Sequence, residues 1–322
     1  MYKPADMSIW DGRIDDDKSE EKLRWHQYVQ AWDGKKNLEN ATALLGFICD
    51  EGVRRNHGRV GAKHGPKALR KALNNLSYTH SSAIFDAGNV ICENQVLEQT
   101  QENCADIVCD IIQKDGHGIL LGGGHEVTWG GLSGLEKFYK SEKIRPSLGI
   151  INFDAHFDLR NPRPQATSGT MFRQILEHCE IHQQECHYIA FGINPSSNTQ
   201  TLFDYAKKKK ITYYSDIDST IQNIEQLKSS LHRFFSVIDE LYLTICLDAF
   251  PSSAAPGTSA PANLGIEPRL VLQLIPFIKH CCNNNGINWR VSDIAELNPE
   301  YDVDNRTASL AARLINEIVS MR

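Results

Sequence analysis

The stretch SLGIINF (147–153) is apolar at nearly every position, and runs like it recur along the chain with amphipathic segments between them. A strand with one face in water alternates apolar and polar residues, whereas a strand that is apolar throughout must be covered on both faces. The other runs are ALLGFIC (43–49), SAIFDAGN (82–89), GILLGGG (118–124), HYIAFGIN (187–194), ITYYSD (211–216), LYLTICLDAF (241–250) and INWRVSDIAEL (287–297). Between them lie segments with helical spacing. GPKALRKAL (65–73) has a proline at its start, and NQVLEQTQENCADIVCDIIQKDG (94–116) is stopped by glycine. Helices separating buried strands predict a doubly wound, parallel sheet. One such sheet uses all 322 residues as a single domain, with the first forty residues, which carry no motif, as an N-terminal arm. In sheets of this kind a site lies outside the carboxyl ends of the strands.

Composition narrows the partners. The net charge of −6 weighs against nucleic acid, which calls for a basic face. The one basic run, KKKK (207–210), reads as a helix end, where lysines favour the negative pole of the dipole. No apolar run approaches the roughly 18–20 residues of a membrane span. The acidic, amphipathic N-terminus does not resemble a signal peptide. Nine cysteines are scattered without a CxxC pair, and Cys281 and Cys282 are adjacent. They read as reduced thiols in a cytoplasmic protein.

Three predicted strand ends carry chemistry. GILLGGGHE ends in His125 and Glu126, IINFDAHFD in Asp154, His156 and Asp158, and LTICLDAF in Asp248, two residues after Cys246. Residues at i, i+2 and i+4 share one side of an extended chain, so Asp154, His156 and Asp158 are expected to point into one place. Crowded carboxylates cost repulsion and desolvation, which a divalent cation relieves. A single such strand end is commonplace, since aspartate often caps a turn; three in one chain point to a shared site. Carboxylates with two imidazoles suit a hard-to-borderline ion such as manganese. The donors exceed what one tetrahedral zinc takes and suit two ions about 3.5–4 Å apart with shared carboxylates.

GGGHE, DAHFD, and TICLDAF followed by APGTSAPA resemble the three signatures of the arginase/ureohydrolase superfamily, and the resemblance extends from DEGVRRNHGRVGAKHGPKALR (50–70) to DIAELNP (293–299). It implies a three-layer α/β/α fold with a single, mostly parallel sheet of about eight strands, and two manganese ions per chain. By position, His125 and Asp158 would hold one ion, His156 and Asp248 the other, and Asp154 would bridge them. The superfamily's second bridging aspartate falls at Cys246, a softer ligand than carboxylate. The GGGHE variant, RRNHGRVGA and SGTMFRQI are most similar to the branch that hydrolyses N-formimidoyl-L-glutamate to L-glutamate and formamide in histidine breakdown. There, hydroxide shared by the two ions would attack the formimidoyl carbon.

The same resemblance implies that Asp158 passes a proton to the leaving amine and that Glu296 holds the cationic formimidoyl group. The two carboxylates of such a substrate call for Arg55, Arg173 or Arg59, with Asn56 and His57 in the same loop as the first and last of these. The histidine that arginases carry after DAHxD has no counterpart in TSGTMFRQ. The glycines 122–124 are expected to let the chain turn close to the ions. The loop PSSAAPGTSAPA (251–262) is expected to wall the site. Two alternatives stand beside this reading. One is another ureohydrolase, giving urea from agmatine, arginine or a guanidino acid. The other is a metal-binding relic impaired by Cys246. Homo-oligomers are common in the superfamily.

Overall fold

The computed structural model describes residues 1–15 and 24–320. Its described residues build one ten-stranded sheet. In chain order the strands are β1 (Tyr2–Lys3), β2 (Gln30–Ala31), β3 (Ala41–Ile48), β4 (Ala83–Ile91), β5 (His117–Leu121), β6 (Leu148–Phe153), β7 (Cys186–Ile193), β8 (Thr212–Ser215), β9 (Glu240–Cys246) and β10 (Asn288–Ala295). Across the sheet they run β1-β4-β3-β5-β10-β9-β6-β7-β8, with β2 also beside β4. Every pairing is parallel except that of β1 with β4. The eight longer strands are those expected from the apolar runs. The two dipeptide strands come from the N-terminal segment, which is fastened to the sheet edge and buries Trp10, Trp25 and Trp32.

The period of two along each strand divides the core. On β6, Leu148 and Ile150 face one apolar layer while Ile151 and Phe153 face the other; on β9, Tyr242 opposes Leu241, Leu243 and Ile245. The first layer is closed by helices 97–113, 127–142, 171–181 and 200–208, and the second by helices 65–73, 224–235, 268–285 and 306–320. The result is a three-layer α/β/α sandwich. The lysine run closes the helix Gln200–Lys208, whose last turn carries Lys207 and Lys208. None of the described helices is long and apolar enough to cross a membrane.

One buried polar clasp locks the edge of the sheet. The register between β3 and β4 shifts beside Asp86, and Gly88 in that bulge has φ +77°. Arg70, from helix 65–73, reaches in with Nε 2.7 Å from Asp86 Oδ2 and Nη2 2.8 Å from Oδ1, and also donates to the Gly88 carbonyl and Asn89 Oδ1. Trp10 Nε1 donates to the same carboxylate at 2.8 Å. Both charged residues are almost wholly buried.

Candidate active site

The four strands β5, β10, β9 and β6 lie side by side at the centre of the sheet, and their carboxyl ends supply the candidate donors. After β5 the chain turns on Gly122–Gly124. A Cβ on Gly123 would collide with the Cys49 carbonyl at the end of β3. Glycine is therefore required by the neighbouring strand end rather than by closeness to ions. The turn delivers His125, whose backbone N–H donates to Glu296 Oε1 at 2.9 Å, and Glu296 N donates back to the Gly123 carbonyl at 2.9 Å. β9 ends at Cys246, and the short 3-10 turn Leu247–Ala249 presents Asp248.

The DAHFD segment converges by a different route from the one expected. It is not extended, because β6 stops at Phe153. Asp154 Oδ1 then accepts from the His156 backbone N–H at 2.7 Å, closing a side-chain turn, and Asp158 takes φ +49°. Glu296 is similarly left-handed at φ +69°. Left-handed backbone at non-glycine residues is costly and is kept where surrounding structure imposes it. Here it aims two carboxylates inward. The sharing of one side thus comes from bent backbone, not from strand alternation.

The outcome is a tight cluster. His125 Nδ1 lies 3.1 Å from Asp154 Oδ2 and 3.0 Å from Asp158 Oδ2, and His156 Nδ1 lies 3.2 Å from Asp248 Oδ2 and 3.5 Å from Asp154 Oδ1. Donor atoms of His125, Asp154 and Cys246 all fall within 4.8 Å of one another, as do those of Asp154, His156 and Asp248. Asp154 is common to both groups, as a bridging carboxylate must be.

Hydrogen bonding prepares His125 for a cation. Its Nε2 is 2.8 Å from Thr244 Oγ1, and the Thr244 hydroxyl donates to Asp293 Oδ1 at 2.6 Å. That hydroxyl has one proton, so Nε2 carries the imidazole hydrogen and Nδ1 presents its lone pair to the cluster. Asp293 is fixed in turn by the hydroxyls of Thr128 and Tyr242.

The donors fit divalent cations on physical grounds. His125 Nδ1, Asp248 Oδ1 and Glu296 Oε2 are buried without a hydrogen-bonding partner. Such atoms are costly unless something charged satisfies them. Burial and the Asp154 charge push Asp158 up to about 6, and burial and neighbouring carboxylates raise Asp248 and Glu296 too. Burial alone would depress His125, but Asp154 and Asp158 raise it well above the usual histidine range, so in the absence of a cation a proton takes its place. Burial, then Asp248 and Asp154, push the Cys246 thiol well up, so it serves as a thiolate only beside a cation. Cys246→Asp is expected to raise manganese retention by roughly tenfold, about 1.4 kcal/mol. Elemental analysis after dialysis checks this, and unchanged retention would mean that Cys246 contributes no ligand atom.

A cleft of about 290 Å³ opens onto the cluster, lined by His125, His156, Asp158, Cys246, Asp248 and Glu296. Asn56 and Arg59 lie on its wall, as do Ser259 and Ala260 of the 251–262 loop. Arg59 is held by the Thr258 and Ser259 carbonyls and stacks over Tyr301, 4.1 Å from the ring centre. Two expected substrate residues are turned elsewhere. Arg55 is buried against Glu51 and Glu98 at 2.9 and 2.6 Å. Arg173 pairs with Glu177 at 2.8 Å and lies over Tyr205 beside a separate hollow. Sequence reasoning missed Arg160, which lines the cleft and donates to Asn56 Oδ1 at 3.1 Å. It continues the two-residue spacing of 154, 156 and 158, a signal that was present. It also missed Asn198, whose side chain accepts from Phe157 N at 3.0 Å and donates to the Ala155 carbonyl, bracing the DAHFD turn from forty residues away.

Fold and cluster together define an α/β/α protein whose central strands carry, at their carboxyl ends, side chains that could hold divalent cations. The arginase family model matches residues 40–320, and the chain belongs to that family. It is 42% identical to the formimidoylglutamase of Aeromonas hydrophila over 99% of both chains. Among solved structures it is similar to the formimidoylglutamase of Bacillus subtilis (TM-score 0.78, 22% identity, 96% of this chain and 95% of that one). It is also similar to the Trypanosoma cruzi formiminoglutamase with Mn2+ (TM-score 0.74, 22% identity, 89% and 95%).

Proposed function

We propose that this chain is a manganese-dependent hydrolase that converts N-formimidoyl-L-glutamate and water to L-glutamate and formamide. The observation that carries the reading is a cleft with the donor cluster at its base and two arginines, Arg59 and Arg160, on its wall, in a chain so similar to formimidoylglutamases throughout its length. Arginine matches a carboxylate in two bonds, and a glutamate-derived substrate brings two carboxylates. All nine thiols are free, in keeping with a reducing cytoplasm.

His125 and Asp158 would hold one manganese ion, His156 and Asp248 the other, with Asp154 between them and Cys246 beside His125 and Asp154. When bound, the pair supplies a water activated to a nucleophile near neutral pH. The chain's own groups do the rest. Arg59 and Arg160 bind the two substrate carboxylates, and Asn56 fixes the Arg160 guanidinium. Glu296 Oε2, buried and free of partners, accepts from the N–H groups of the cationic formimidoyl group and orients its carbon towards the cluster. Asp158, at the cleft surface, carries the proton that the glutamate amine needs in order to leave as the tetrahedral carbon collapses.

The test is direct. The manganese-loaded protein is expected to release formamide from N-formimidoyl-L-glutamate, and urea release from a panel of guanidino compounds without formamide release would overturn the reading. In the same assay Arg160→Ala is expected to lower kcat/KM by roughly 10- to 100-fold, mostly through KM, the scale of one lost hydrogen bond to a charged group. An unchanged KM would remove Arg160 from substrate binding.

A further inference from the structure

The buried, unsatisfied ring nitrogen that marks His125 has a counterpart outside the cleft. His178 Nε2 is also buried without hydrogen-bond geometry to any neighbour, although Glu136 Oε2 is only 2.9 Å away. His178 lies on helix 171–181 and His182 caps its end, so the two stand four residues apart on one helical face, their ring centres 4.3 Å from each other. Glu136 reaches them from the neighbouring helix 127–142. One donor atom from each of Glu136, His178 and His182 falls within 4.8 Å of the other two.

We infer that Glu136, His178 and His182 form a second metal site, separate from the cleft, that takes a borderline transition ion of the zinc class. Two imidazoles and one carboxylate are a three-ligand zinc set with a fourth position left open to water. A hard ion such as magnesium or calcium would call for more oxygens. The remaining geometry supports it. Lys140 Nζ holds Glu136 Oε1 at 2.7 Å, which leaves Oε2 facing the imidazoles. Trp129 lies edge-on to the His178 ring at 5.9 Å and fixes its orientation. Lys143 and Arg145 line the adjoining hollow with His182, but both are exposed, so solvent screens their repulsion of a cation. They favour an anionic fourth ligand over water where one is present.

The site ties together two helices that both adjoin His125. Helix 127–142 begins directly after His125 and Glu126, and Phe172 of helix 171–181 packs edge-on against the His125 ring with centroids 5.5 Å apart. His178 is six residues further along that helix, roughly 9 Å at 1.5 Å per residue. An ion at Glu136, His178 and His182 therefore clamps the two helices behind His125 without touching the cleft.

The experiment adds zinc to the manganese-loaded full chain, removes unbound metal, and counts both metals. The wild type is expected to retain one zinc per chain more than His182→Ala or His178→Ala, with its manganese unchanged, and zinc affinity in either variant is expected to fall by roughly a hundredfold. Zinc should also raise the melting temperature of the wild type and not that of His182→Ala. Because His182 is exposed, its variant folds and isolates ligand loss from damage to the fold. Equal zinc in wild type and both variants, or zinc that only replaces manganese, overturns the inference, and neither result depends on which substrate the cleft turns over.

Discussion

Asp154→Asn is expected to lower kcat by about 10³-fold or more, roughly 4 kcal/mol of transition-state stabilisation. The substitution keeps the size of the side chain and an oxygen able to accept from the His156 N–H, so the turn that shapes DAHFD persists. What it removes is the one negative charge common to both donor groups. In the proposed arrangement His125, His156, Asp158 and Asp248 would each serve one cation, whereas Asp154 would separate and neutralise two, so its loss would weaken both positions at once. Formamide release and the number of manganese ions retained after dialysis measure the effect together. Turnover near the wild-type level would mean that no pair of cations shares this carboxylate. The metal-free protein responds in the same direction. Burial would raise the Asp154 carboxyl, but protonated His125 and His156 hold it well below the usual carboxylate range, so removing its charge is expected to make the metal-free variant melt lower than the metal-free wild type at neutral pH.

The other large effect is on stability. Arg70→Ala is expected to cost about 3–5 kcal/mol, because it strands the Asp86 carboxylate in the core with only Trp10 and the Gly88 backbone N–H to satisfy it. The loss is that of an uncompensated buried charge, not of the attraction alone. Removing both charges in Arg70→Met/Asp86→Leu should therefore cost less than removing one. Urea denaturation of the two variants and the wild type reads the difference. An Arg70→Ala variant within about 0.5 kcal/mol of wild type would show that water reaches Asp86 and that the clasp is not a locking element.

Much of the architecture could be read from the chain because it rests on local patterns. Eight strands were visible as apolar runs, since burial on both faces leaves an unbroken signature in the sequence. β1 and β2 were not, because two residues hold no periodicity and their partner β4 is distant in the chain. The metal-type donors were legible because they sit at the ends of visible strands. Their mode of convergence was not: Asp158 and Glu296 reach inward through left-handed backbone that nothing in their residue types demands. The arginines show the limit most clearly. Arg55, expected to share a loop with Arg59, ends the short helix Glu51–Arg55, where Glu51 one turn back and distant Glu98 capture it, while Tyr301 and two carbonyls hold Arg59 at the cleft. Arg160, by contrast, carried a spacing cue that its basic character disguised.

The order of the central strands bears on how the protein is made. β10, the most C-terminal of the described strands, inserts between β5 and β9, both of which precede it in the chain and leave the ribosome first. Until then two inner strands present bare edges to the crowded cell, a state that invites chaperones and self-association. The cleft also lacks its Glu296 wall during that interval. Truncation before residue 288 therefore leaves every candidate metal donor in the chain but neither a closed sheet nor the backbone bond by which Glu296 braces the His125 turn.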